Sequence, residues 1–489
     1  MSGDAGAGDR PLRARVEALR GELEATVARA AERERLPGVA WGVADRHGLV
    51  LAGATGRASL SPPLPADGRL VWRIASMTKS VTACCVLLLR DDGHLRLDDP
   101  VVGYVPGFGT SRLPTADSPP VTIRHLLTMS AGLVEDDPWA DRQLAMDEAG
   151  LASLLRGGIC FDTAPGVRFQ YSNLGYALLG QVVRAASGMS LAAFARQRLF
   201  APLGMAATTF DVAGLAPDAR ATGYHDDADA RTPEPILADG VFGAMGGLGT
   251  TIPDFARYVA FHLDAWPPRD DPDPGPLARA SRREMAQPWR PGPAWPAVTE
   301  LMLEGYGFGW VVGRHARLGR VVAHSGGLPG FGSHVELLPD AGVGVMAFAN
   351  RTYAPARALV AELVEQLAAA GVLDRAVGGT GAAGAPAPLL AAQAWLSDLY
   401  REWDGDRARS LAAENLFRDK SEGTRAADLS ALRNRHGALR EVGPLRREGA
   451  RRASWRLVCE RGELAAWVWL VPSAGGAVQA YGFEVVEGG

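Results

Sequence analysis

Apolar positions recur at two different periods along this chain, and the changes of period mark its elements. Before residue 35 they return at helical spacing among charged positions, which predicts an amphipathic helix. Two short apolar runs over 39–44 and 49–54, joined by Asp45-Arg46-His47-Gly48, predict a β-hairpin. From Ser76 the helical period returns, with Val81, Cys84, Cys85, Leu88 and Leu89 on one face and Gly93 placed as the C-cap. Helices and loops rich in Ala and Leu follow to about residue 260. Near Tyr306 short, often alternating runs reappear over 306–313, 320–325, 332–338 and 343–349. They predict a four-stranded antiparallel meander, closed by a helix over 355–370.

Strands at both ends of this region with helices inserted between them predict an α/β layer and a mostly helical subdomain, with a cleft at their junction. The Gly-, Ala- and Pro-rich stretch 378–388 reads as a linker. Beyond it, helical patterns over 389–403 and 425–435 precede strand-like runs over 454–459, 464–471 and 478–485, the first two joined by Arg461-Gly462. The expected organisation is therefore a domain over 1–377, a linker over 378–388 and a small α+β domain over 389–489. No catalytic constellation is visible in the last of these.

A net charge of −4 gives no reason to expect a nucleic-acid partner, and Arg433 to Arg452 reads as a solvated surface. With 47% hydrophobic and 22% charged residues the composition is that of a globular protein. The amino-terminal stretch lacks the apolar core and cleavage site of a secretory signal, and no apolar run is long enough to span a bilayer, so cytoplasm and no membrane are expected. Cys84, Cys85, Cys160 and Cys459 show no metal or redox spacing and are expected to be buried free thiols.

Composition carries one sharper signal. Of 51 basic side chains only Lys79 and Lys420 are lysine, the rest arginine. Arginine replaces lysine on most surfaces but stays protonated at any ordinary pH, so a lysine kept three positions after Ser76 points to chemistry that needs a neutral amine. Residues three apart share a helix face, and the Ser76 N–H at the helix start is free to meet a developing oxyanion. The alternative is a serine N-cap beside a solvent-facing lysine. Tyr171-Ser172-Asn173, after an extended approach and before a helix over 174–186, can present Tyr171 and Asn173 to one side; taken alone, a buried structural tyrosine is the better reading. His324-Ser325-Gly326-Gly327 ends a predicted strand, where two glycines permit close approach of a ligand.

Taken together, the three segments resemble the active-site motifs of the serine β-lactamase and penicillin-binding-protein superfamily. The branch is that of class C β-lactamases, D-alanyl-D-alanine carboxypeptidases, D-aminopeptidases and related esterases. That family has Ser-x-x-Lys, Tyr-x-Asn and Lys/His-x-Gly in this order, here Ser76/Lys79, Tyr171/Asn173 and His324/Gly326. Arg124 through Leu133, Gly246-Gly247-Leu248 and His324 through Pro339 also resemble the family, and the likeness covers roughly residues 15–370.

The resemblance implies a β-lactamase-like fold and a covalent acyl-enzyme on Ser76. Lys79 and Tyr171 would share the proton traffic, with either one as the base and with help from His324 if protonated. Asn173 would hydrogen-bond Lys79 and the substrate amide. Ser76 and Gly327 would supply the oxyanion hole, and Ser325, Gly326 and Gly247 would contact substrate. Loops 135–142 and 239–251 are the candidates for shaping the pocket.

Three departures speak against antibiotic destruction: no visible export signal, His324 where class C enzymes carry lysine, and the extra domain. The expected activity is hydrolysis of a small amide or ester, such as a D-amino-acid peptide. A carboxylesterase or acyltransferase of secondary metabolism, a genuine β-lactamase and a non-catalytic ligand-binding protein are the alternatives. There is no Gly-x-Ser-x-Gly elbow, no His-Glu-x-x-His and no cysteine–histidine cluster, so neither metal nor cofactor is expected. Self-association into a homo-oligomer is left open.

Overall fold

The computed structural model describes residues 12–227, 230–292, 301–373, 386–473 and 475–486. The chain divides into two compact units, Met1–Gly379 and Thr380–Gly489. Most of the expected linker lies outside the described residues.

The first unit is built on an eight-stranded antiparallel sheet. Its strands are β1 (Gly38–Asp45), β2 (Gly48–Leu60), β3 (Pro63–Pro65), β4 (Leu301–Tyr306), β5 (Val311–His315), β6 (Gly319–Leu328), β7 (Phe331–Leu338) and β8 (Val343–Ala349), in the spatial order β3-β2-β1-β8-β7-β6-β5-β4. The hairpin expected near residue 40 is β1–β2, and β1 pairs with β8 from Val39↔Ala349 to Asp45↔Val343, so the two ends of the unit close one sheet. The meander has five strands rather than four. The run expected over 306–313 breaks between Tyr306 and Val311, where Gly309 adopts a φ of +73°. A Cβ at Gly309 would lie 2.7 Å from the Lys79 carbonyl oxygen, so the break brings the sheet edge against the start of the Lys79 helix.

Side chains alternate across the strands, which assigns each residue to a face. Val39, Trp41 and Val43 of β1, Val321 and Ala323 of β6 and Val345 and Ala347 of β8 pack with the helices α1 (Arg20–Arg33) and α5 (Ala356–Ala369). Ala40, Val322, Val335, Met346 and Phe348 face the other way, into a core shared with α2 (Thr78–Asp91), α3 (Asn173–Ser187) and α4 (Ile252–Leu263). The expected single amino-terminal helix is interrupted at Leu19 and continues as α1. Cys84, Cys85 and Cys459 are buried free thiols, but Cys160, in a loop, is exposed. Among the described residues no single helix is long and apolar enough to cross a membrane.

The second unit packs helices Ala387–Arg401 and Glu422–His436 with a five-stranded antiparallel sheet around Leu396, Trp455, Leu457, Leu464 and Val468. Its strands Arg452–Cys459 and Gly462–Leu470 alternate between buried and less buried positions, whereas Val478–Val485 buries only Val478; Leu439–Val442 and Arg446–Arg447 are short and polar, which hides them from the sequence pattern. The fold class is thus α/β with a β-lactamase-like sheet-and-helix unit and a separate small sheet at the carboxyl end.

Candidate active site

Ser76 sits in a 3-10 turn, Ala75–Met77, that runs directly into α2. The residue before it, Ala75, is fully buried with a φ of +49°, a left-handed conformation that costs a non-glycine residue about 1–3 kcal/mol. The packing that holds Ala75 there comes from β6. A Cβ at Gly326 would fall 2.2 Å from the Ile74 carbonyl oxygen and 3.0 Å from the Ala75 Cβ. Gly326 therefore acts by allowing close backbone approach of the Ser76 turn.

Lys79 is fully buried one turn into the helix. Its Nζ lies 2.9 Å from Ser76 Oγ, 2.7 Å from Asn173 Oδ1 and 2.9 Å from the Met245 carbonyl oxygen. Asn173 Nδ2 donates to Asp137 Oδ1 at 2.8 Å, which fixes Oδ1 as the side turned to Lys79. Both Asn173 Oδ1 and the Met245 carbonyl can only accept. A neutral amine gives its two protons to them, and its lone pair is left for the Ser76 hydroxyl. Burial pulls the Lys79 amine from its ordinary 10.5 down to about 8, against the opposing charges of Asp137, Asp141 and Asp136.

Tyr171 reaches the same point from the residue pair ahead of α3, whose N-cap is Ser172. Lys79 Nζ lies 4.8 Å from the centre of its ring. Burial and the charge of Asp137 push the phenol well above its ordinary 10, and its hydrogen bond to Ser76 only partly offsets them. His324 on β6 completes the group, its ring 6.5 Å from that of Tyr171. Its Nδ1 lies 2.6 Å from the Ser325 carbonyl oxygen, an acceptor, so Nδ1 carries the proton and Nε2 accepts from the Tyr306 hydroxyl at 3.1 Å. Burial, with Lys79 nearby, drives the imidazole down to about 3. His324 is neutral at ordinary pH and cannot help ionise Tyr171 as a cation.

Ser76, Tyr171, His324, Ser325 and Gly327 line one cavity of about 590 Å³. Pairing of β6 with β5 ends at Ala323↔Val311, so the outer edge of β6 from His324 onward is left open along this cavity. Gly327 N–H lies on that stretch. Three expected contacts are not found, the first being Gly326, which is buried against the Ser76 turn and does not line the cavity. Gly247 is buried away from the cavity, its carbonyl accepting from Arg73 at 3.0 Å, and a Cβ there would meet Gly243 Cα at 2.8 Å; it serves the turn that presents the Met245 carbonyl. Asn173 is fully buried behind Lys79 and does not line the cavity, so it positions the lysine and is not placed to meet a substrate amide. Of the two loops expected to shape the pocket, 135–142 contributes Glu135, Asp137 and Asp141, whereas 239–251 contributes no lining residue.

Sequence reasoning missed the residues that set this environment. Asp136 accepts the Asn173 and Leu174 N–H groups, both at 2.8 Å, and Asp141 accepts the Tyr353 hydroxyl at 2.8 Å. Burial raises both carboxyls, Asp141 to about 6. Tyr306, His334, Glu336, Arg168 and Arg357 also line the cavity. One signal was available: His334 and Glu336 alternate with Val335 and Leu337 in the strand, which puts two ionisable groups on one face.

The fold and this serine–lysine–tyrosine cluster define a class of penicillin-recognising and related proteins. A model of the Beta-lactamase family matches residues 23–370, and the chain belongs to that family. It is 29% identical over 295 residues to Penicillin-binding protein 4* of Bacillus subtilis (strain 168), which covers 56% of this chain and 60% of that protein. With Esterase EstB of Burkholderia gladioli it shares 36% identity over 240 residues, 46% of this chain and 58% of the esterase. The matches thus span about three fifths of each relative's length. Among solved structures, the octameric penicillin-binding protein homologue from Pyrococcus abyssi matches 92% of this chain and 96% of its own, with a TM-score of 0.61 at 20% identity, a likeness of fold.

Proposed function

We propose that the protein is a serine hydrolase that takes an acyl group from a small amide or ester onto Ser76 and passes it to water. The observation that carries this is the three-way coordination of Lys79, two pure acceptors plus the Ser76 hydroxyl. In that geometry the neutral amine removes the serine proton as Oγ attacks. Tyr171, held protonated, then serves as a hydrogen-bond donor and proton carrier, while Ser76 and Gly327 N–H groups receive the oxyanion.

Esters and D-amino-acid amides are the proposed substrates. With His324 neutral, no cation stands at the motif where class C enzymes carry lysine; Arg168 and Arg357, also on the cavity, would have to receive any substrate carboxylate. Relatives named as an esterase and a penicillin-binding protein support the same range. The P. abyssi neighbour's octamer supports self-association of this chain too.

Incubation with a fluorophosphonate is expected to add one mass increment at Ser76, found by peptide mass spectrometry. A panel of p-nitrophenyl esters, D-aminoacyl amides and a chromogenic cephalosporin is expected to rank in that order. No adduct and no turnover of any of the three would remove the enzymatic reading.

A further inference from the structure

The cavity holds a second proton-handling group on the opposite face of β6. Ser325 follows His324, so its side chain emerges on the face of Val321 and Ala323, toward α5. There its Oγ lies 2.8 Å from His334 Nδ1, its partner across the β6–β7 pair. His334 Nε2 in turn lies 3.9 Å from Glu336 Oε2. Ser325 is exposed to the cavity, whereas His334 and Glu336 are only 3% and 6% exposed. All three line the cavity that holds Ser76.

The order is hydroxyl, imidazole, carboxylate. The Glu336 carboxylate favours the tautomer with the proton on Nε2, which leaves Nδ1 to accept from the Ser325 hydroxyl. Toward the cleft Ser325 then offers lone pairs. Burial and the charge of Arg357 lower the His334 pKa against the pull of Glu336, so the imidazole stands neutral and ready to accept a proton. Nothing in acylation uses this group, because Lys79 already serves Ser76 from the other face.

We propose that Ser325, His334 and Glu336 form a relay that deprotonates the water entering in deacylation. This inference rests on the acyl-enzyme reading above. Water oxygen bonds to the acyl carbon as its proton passes to Ser325 Oγ and the Ser325 proton passes to His334 Nδ1. The bond from the acyl carbon to Ser76 Oγ then breaks, and Ser76 recovers from Lys79 the proton it gave up in acylation. The imidazolium, steadied by Glu336, releases its proton to solvent. For a p-nitrophenyl ester the phenolate leaves unprotonated, so the balance is ester plus water to acid, phenolate and one proton. Ser325 touches the reacting water; His334 and Glu336 act through it.

Stopped-flow hydrolysis of a p-nitrophenyl ester separates the two half-reactions. For His334→Gln and Glu336→Gln we expect kcat to fall at least about tenfold with kcat/KM within about twofold, since kcat/KM reports acylation, and Ser325→Ala should lose kcat to at least the same extent. A burst of p-nitrophenolate and a trapped acyl adduct on Ser76 should accompany the loss, and Ser325→Thr, which keeps a hydroxyl, should restore most of kcat. Equal falls in kcat and kcat/KM in His334→Gln and Glu336→Gln, or no change in any of the three variants, would overturn the relay. Melting curves of all the variants show whether any loss is of folding. If wild-type protein forms no adduct at Ser76, the acyl-enzyme reading fails; if it does and the variants turn over normally, only the relay fails.

Discussion

Hydrolysis of a neutral ester will rise with pH through an apparent pKa near 8 in kcat/KM and level off above it. Lys79→Met will flatten that limb and lower kcat/KM by about 10³-fold or more. The sign follows from which form works. A base must be neutral, and burial brings the Lys79 amine down to about 8, so the working form gains population as pH rises through that value. At pH 7 about one molecule in ten is then ready, against fewer than about one in a thousand for an unperturbed lysine. If the Tyr171 phenolate were the base, the limb would lie above 10, because burial and Asp137 hold that phenol up. A pH–rate profile to pH 10 therefore decides between them. A limb near 8 that persists in Lys79→Met would assign it to another group and sink the lysine mechanism.

Sequence and structure divide the site by the range of the interaction. Ser76 and Lys79 could be read because three residues on a helix fix their proximity, and the near absence of lysine elsewhere made the pair visible. Tyr171 and His324 could be read only as motifs, since nothing local brings a helix start and a strand end together. What each does depends on neighbours far away in sequence. The sequence leaves His324 free to be charged, and burial beside Lys79 holds it neutral. The choice between Tyr171 and Lys79 stays open in the sequence because it turns on burial and on Asp136, Asp137 and Asp141, whose loop the sequence marks as a candidate pocket wall but not as a set of charges facing Lys79. Gly247 looked like a substrate contact for the same reason. A glycine beside a motif signals close approach, but not of what, and here it approaches Gly243. The fold was easier. Alternation and turn residues survive in any context, and the meander failed only where Gly309 splits one apolar run into two strands.

Gly326→Ala is the single methyl group expected to do most damage. The added carbon would lie 2.2 Å from the Ile74 carbonyl oxygen, 2.3 Å from Ser333 Oγ and 3.0 Å from the Ala75 Cβ. The first two of these atoms are bonded to each other, Ser333 Oγ donating to the Ile74 oxygen at 2.8 Å. The methyl cannot be absorbed by a flexible chain end, because the nearest atom is backbone. Either β6 retreats from the turn or Ile74 and Ala75 move, and Ala75 already sits in a left-handed conformation with little freedom to give. Overpacking of this kind costs about 1–3 kcal/mol, a fall of several degrees in Tm for a unit of this size. The catalytic loss should be larger than stability alone explains. Any shift of Ala75 displaces Ser76 from the Lys79 lone pair and from the open edge of β6, and a displacement near 1 Å costs about 100-fold. Fluorophosphonate labelling of Ser76, measured well below the melting point, is expected to slow by that factor. Labelling at the wild-type rate in a folded Gly326→Ala protein would show that the turn does not depend on β6 for its position.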